Sequence, residues 1–89
     1  MNHADVISTF GLTRKQYENL TAQQMDILSY ICEFGSITPM EAFSELWVTK
    51  LATRISEMKA DGIRFDQVYE SRKNRFGKTV RFMRYRRAA

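Results

Sequence analysis

The sequence predicts an α+β domain in which three short core helices are followed by a C-terminal β-hairpin. Three observations predict it. Helix-start signals recur in close succession at Thr21, Thr38 and Thr49. The hydrophobic period changes after Gly62 from helix-like to strand-like. The last eighteen residues carry eight Lys or Arg, interleaved with apolar side chains, and no Asp or Glu.

The chain of 89 residues has room for one domain with a single modest core. At 44% hydrophobic and 12% aromatic it is too apolar for a disordered chain. One cysteine, Cys32, excludes an intramolecular disulfide and gives no sign of an oxidising compartment. The N-terminus lacks the basic flank and apolar run of a signal peptide. No stretch approaches the ~20 apolar residues of a membrane span. The expected location is therefore the cytoplasm, with no membrane partner.

Residues 1–20 are read as an N-terminal helical extension. Val6, Ile7 and Phe10 line a short helix stopped at Gly11. Thr13 and Gln16 have capping-box spacing, with Tyr17 and Leu20 behind them. This apolar content either docks on the next helix or builds a homodimer contact.

Residues 21–89 form the main unit. Thr21 and Gln24 make a second capping box, in which each side chain satisfies a backbone N–H at the helix start. Asp26, Ser29 and Glu33 share a narrow polar face. Met25, Ile27, Leu28, Tyr30, Ile31, Cys32 and Phe34 cover most of the remaining surface, so this helix is expected to be covered from two sides and to end at Gly35. Ser36 and Ile37 suit a very short strand. Thr38, Pro39 and Glu41 then start a helix running to Leu46, with Phe43 and Leu46 expected inside. After Trp47 and Val48 a third helix opens, with Thr49 expected as its cap. Leu51, Ile55 and Met58 fall on one stripe, and Gly62 ends the helix.

Phe65, Val68 and Tyr69 are strand formers, and Thr79 to Tyr85 alternates basic with apolar residues. Val80 and Phe82 are even-numbered while Met83 and Tyr85 are odd-numbered. A β-bulge near Phe82 would explain that slip. Asn74 and Gly77 mark the hairpin tip. Two helices joined by a tight turn and followed directly by a hairpin make a winged helix-turn-helix.

Charge is segregated along the chain. Residues 1–71 hold six basic and ten acidic side chains, a net of −4. Residues 72–89 hold Arg72, Lys73, Arg75, Lys78, Arg81, Arg84, Arg86 and Arg87, a net of +8. Such a block addresses a polyanion. In this architecture the helix after the turn enters the major groove of DNA. Once Leu51, Ile55 and Met58 face the core, Thr49, Lys50, Thr53 and Arg54 remain for base edges or phosphates. Arg54 has a competing use in an ion pair with Glu57 or Glu45. Arg72, Lys73, Arg75 and Lys78 near the hairpin tip are expected along the phosphates, with Arg75 able to enter a minor groove. Arg84, Arg86 and Arg87 are weaker candidates, because strand arginines also cover the sheet.

The stretches Gly35 to Ala42, Thr49 to Ile55 and Lys73 to Lys78, with Val80-Arg81 and Arg84-Tyr85-Arg86, resemble small winged helix-turn-helix domains common in bacteriophage and prophage genomes. The similarity runs from about Thr21 to Arg87. It implies DNA binding, with transcriptional control or another DNA transaction in a phage or mobile element as the expected task. One departure stands out. The turn usually reads Leu-Gly-Ile or similar, and here it reads Leu46-Trp47-Val48. A positive φ at Trp47 would cost roughly 1 kcal/mol for the missing glycine. The indole is expected to pack rather than to contact DNA.

Catalysis has little to build on, and the protein is read as not an enzyme. His3 is the lone histidine, one Cys and one His cannot assemble the usual structural zinc site, and no phosphate-cradling glycine loop or nucleophile elbow is present. No cofactor is implied. The rival to double-stranded DNA is a protein-interaction module using the same surface; RNA is a second alternative.

Overall fold

The structure, a computed structural model, describes residues 3–88. Five helices precede a two-stranded antiparallel hairpin: α1 (His3–Phe10), α2 (Arg14–Asn19), α3 (Ala22–Phe34), α4 (Pro39–Leu46), α5 (Leu51–Ala60), β1 (Phe65–Lys73) and β2 (Thr79–Arg87). This is the expected order of elements.

The helix starts follow the sequence signals closely. Thr13, Thr21 and Thr38 each accept from the backbone N–H three residues on, and Gln16, Gln24 and Glu41 return the bond to the cap residue. Gly35 closes α3 at φ 89°, a left-handed conformation that a Cβ would strain. The core gathers Ile27, Leu28 and Ile31 of α3, Ala42 of α4, and Leu51, Ile55 and Met58 of α5, with Val6, Leu12, Ile37, Val48, Ile63 and Tyr85. Val6 is wholly buried, so the extension packs into the chain's own core. Phe10 meets Phe65 at 5.7 Å between ring centres, which carries that packing on to the hairpin.

Ile37 is the short strand anticipated before α4. It exchanges both backbone hydrogen bonds with Tyr85, at 2.8 and 2.9 Å, and so lies along the free edge of β2. The hairpin register runs unbroken from Phe65↔Arg87 to Lys73↔Thr79. The expected β-bulge near Phe82 is therefore absent. Both faces of β2 carry apolar residues for separate reasons: Met83 and Tyr85 pack on the core, while Val80 and Phe82 line a groove with Pro39 and Met40 of α4.

Four further expectations are corrected. Thr49 does not cap α5. Its N-cap is Lys50, at φ −125° and ψ 59°, without a side-chain hydrogen bond. Val48 must turn into the core directly after Trp47, which delays the first helical residue to Leu51. Phe43 is half exposed, because the inner position of α4 is taken by Ala42. Phe34 is exposed at the end of α3, tilted against Tyr30. Trp47 does not pack inside: it is 76% exposed, with its ring edge-on to Phe43 at 5.8 Å.

Trp47 does occupy the position where glycine is usual, at φ 57° and ψ 27°, the one non-glycine positive φ among the described residues. Trp47→Gly and Trp47→Ala both remove the ring, so comparing them isolates the backbone. In an ordinary helix alanine is the more stable of the two; here the glycine variant should be more stable by about 1 kcal/mol in chemical denaturation. Equal stabilities, or a more stable alanine variant, would show that the turn carries no strain.

Candidate nucleic-acid interface

The exposed face of α5 is set by its buried one. With Leu51, Ile55 and Met58 turned inward, Lys50 and Thr53 are exposed and Arg54 lies at the boundary. Thr49 is exposed just ahead of the helix. Because α5 has no side-chain cap, its first-turn N–H groups receive none of the side-chain satisfaction that α2, α3 and α4 enjoy.

Arg54 has an intramolecular partner. Its Nη1 lies 3.4 Å from Glu57 Oε1, and the same oxygen accepts from Gln24 Nε2 at 3.1 Å. Of the two uses weighed for Arg54, the ion pair with Glu57 is present. Its Nε is buried and has no hydrogen-bond partner among the described residues. Among the described residues Lys50 and Thr53 make no such contact, and they are the freer groups on this helix.

The wing carries the second part of the site. Arg72 and Lys73 end β1, and Arg75 and Lys78 sit in the tip. All four are exposed, and none forms an ion pair among the described residues. The tip is built around Asn74. Its Oδ1 accepts from the N–H groups of Phe76 at 2.9 Å and Lys78 at 3.0 Å, while Gly77 N–H donates to Asn74 O. Gly77 takes φ 78°, the turn conformation that lets the chain reverse.

Arg84 has a different office from the tip cations. Its Nε and Nη2 bind the two carboxylate oxygens of Glu70 at 2.7 and 3.0 Å, a bidentate pair across the hairpin. Its Nη1 donates to Ser36 Oγ at 2.9 Å and lies 3.6 Å from Glu41 Oε1. One guanidinium thus ties β1, β2, the loop before α4 and the capping box of α4. Sequence reasoning missed this because Glu70, Ser36 and Glu41 have no spacing relation to Arg84. Arg81 stacks over the Tyr69 ring at 4.5 Å and so covers the sheet. Of the eight basic residues, Arg81 and Arg84 are engaged within the hairpin, Arg72, Lys73, Arg75 and Lys78 form a free set around the tip, and Arg86 and Arg87 lie exposed at the far end of β2.

Between α4 and the wing lies a groove of about 500 Å³, bounded by Met40, Val80 and Phe82 with Arg72 and Lys73 at its rim. Among the described residues no group of three His, Cys, Asp or Glu could hold a metal ion, and no helix is long and apolar enough to cross a membrane. His3 Nδ1 lies 2.8 Å from the Tyr17 hydroxyl and so serves the N-terminal packing.

A family model described as a winged helix-turn-helix domain matches residues 22–86. No curated protein and no solved structure matches the chain.

The hydrogen bonds from Arg84 hold the Glu70 carboxyl below its ordinary pKa, aided by the nearby charges of Arg72 and Arg86. The folded chain therefore binds that proton more weakly than the unfolded chain. The resulting stability is complete above the ordinary value of about 4.3 and is lost as pH falls through the depressed one. Glu70→Gln should melt below the native chain at pH 7, and the gap should close as the pH falls below the ordinary carboxylate range. A gap that is constant with pH would show that the carboxylate charge contributes nothing.

Proposed function

The chain belongs to the winged helix-turn-helix domain family, and on that premise we propose that it binds double-stranded DNA through α5 and the wing. The observation that supports this best is the set of four unpaired cations, Arg72, Lys73, Arg75 and Lys78, on a hairpin with no acid from Arg72 onward. Ordinary surfaces mix both signs. In this reading Lys50 and Thr53, with Thr49 beside them, meet base edges or phosphates in the major groove. Arg54 joins them when it leaves Glu57. The wing-tip cations follow the phosphates, and Arg75 reaches the minor groove. The protein acts by binding and not by catalysis. Its proposed role is transcriptional control in a phage or mobile element, in the cytoplasm of the bacterial host.

If about 4–6 phosphates are neutralised, log K should fall against log salt with a slope of about −4 to −5. Fluorescence anisotropy of a labelled duplex across salt concentrations measures this. No binding at low salt, or binding indifferent to salt, would sink the proposal. Selection from a random duplex library then separates specific from general affinity, and a palindromic product would imply a dimer. Stem-loop RNA that outcompetes the duplex would move the reading to RNA.

A protein partner is the second reading, and the exposed stripe of Met40, Phe43 and Trp47 along α4 favours it. The double substitution Lys50→Ala/Thr53→Ala discriminates. On the DNA reading it weakens binding about tenfold or more and relaxes the selected sequence. Unchanged DNA affinity and sequence preference would instead assign the surface to a protein.

A further inference from the structure

The most exposed large apolar side chain of the wing is also the one best held at its tip. Phe76 is 83% exposed and belongs to no part of the core. A phenylalanine left in water forgoes the stabilisation that burial would bring, and a solvated hairpin tip has no need of one. Its main chain is nevertheless fixed. Phe76 N–H is bonded to Asn74 Oδ1, and the loop is closed on both sides of it by Asn74 N–H to Lys78 O and Gly77 N–H to Asn74 O. The ring is therefore presented from an ordered tip, not carried on a loose one.

Its neighbours limit what it can meet. Arg75 and Lys78 flank it in the tip, and Arg72 and Lys73 stand behind it, all exposed and unpaired. A partner that accepts a ring among four cations must offer an anionic rim around an apolar interior. A base-pair step between two phosphate strands has that chemistry: charge outside, stacked apolar faces within. Resting on the DNA-binding reading above, we propose that Phe76 is a wedge that enters the minor groove between adjacent base pairs, part-unstacks them and kinks the duplex. The cations on either side hold the phosphates while the ring is inserted. Pyrimidine–purine steps, above all TpA, unstack most easily and are the preferred sites. The wing then contributes to sequence choice through deformability, without reading a base edge.

The test uses a 30-base-pair duplex containing several TpA steps, labelled with a donor and an acceptor at its ends. Anisotropy gives affinity and energy transfer gives the bend on the same sample. The native chain should shorten the end-to-end distance, with a bend of about 20–90°. Phe76→Ala should bind about tenfold more weakly and leave the duplex straight, while Phe76→Leu should keep part of the bend. Phe76 touches no core residue, so the melting temperature of both variants should match the native value. Equal bending by the native chain and Phe76→Ala, or straight DNA bound by both, overturns the wedge and leaves DNA binding standing. A single strand that outcompetes the duplex also overturns it, since the ring would then be a stacking platform. A native chain that binds no duplex removes the wedge together with the function it rests on.

Discussion

Three helices of this fold begin with the same device, and in each the residue three positions into the helix serves a second element. Gln16 returns the capping bond to Thr13 and also donates to the Asp61 carbonyl at the end of α5, at 3.0 Å. Gln24 does the same for Thr21 and reaches Glu57 in the middle of α5. Glu41 accepts from Thr38 N–H and lies beside Arg84 of β2. A capping box fixes where a helix starts and in which direction its first turn points. Here it also fixes what that turn rests against. The orientation of α5 relative to α2 and α3, and of the wing relative to α4, therefore depends on side chains that each helix needs in any case to begin.

This arrangement explains what the sequence could and could not convey. The boxes at Thr13, Thr21 and Thr38 are local, written within four residues, and all three are present as expected. The stripe of Leu51, Ile55 and Met58 is equally local and equally legible. The second bonds of Gln16, Gln24 and Glu41 join residues 45, 33 and 43 positions apart, and no periodicity records them. The same limit applies to β2. Apolar residues on both faces of a strand read as a register slip when only one buried face is imagined. They read correctly once α4 is known to lie over the second face.

The candidate site shows the same division. The exposure of Lys50 and Thr53 followed from the buried stripe, and that of Arg72, Lys73, Arg75 and Lys78 from the hairpin pattern. The pair of Arg54 with Glu57, three residues on, was one of two uses legible in the sequence, whereas the fate of Arg84 did not follow, because its carboxylates are brought near only by the fold. Trp47 was legible in its backbone and illegible in its side chain. The tight turn demands a left-handed residue there, and that conformation directs the indole outward while Val48 fills the interior.

The domain is long for its size, with principal extents of 47 × 23 × 20 Å. The basic residues are gathered in the hairpin and an acidic excess in α1, α3 and α4, so the molecule is an electric dipole as well as a scaffold. At physiological ionic strength, charge is felt over only about 8 Å. A polyanion approached from solution therefore senses whichever end comes within that distance, and attraction acts only when the wing leads. The acidic helices α1, α3 and α4 are turned away by the same field. Orientation is thus selected during diffusion, before any contact forms, and an encounter that begins with the wing needs only a rotation about its point of attachment to continue. Weakening the dipole with charges placed away from every contact residue would leave the final complex intact and slow its formation.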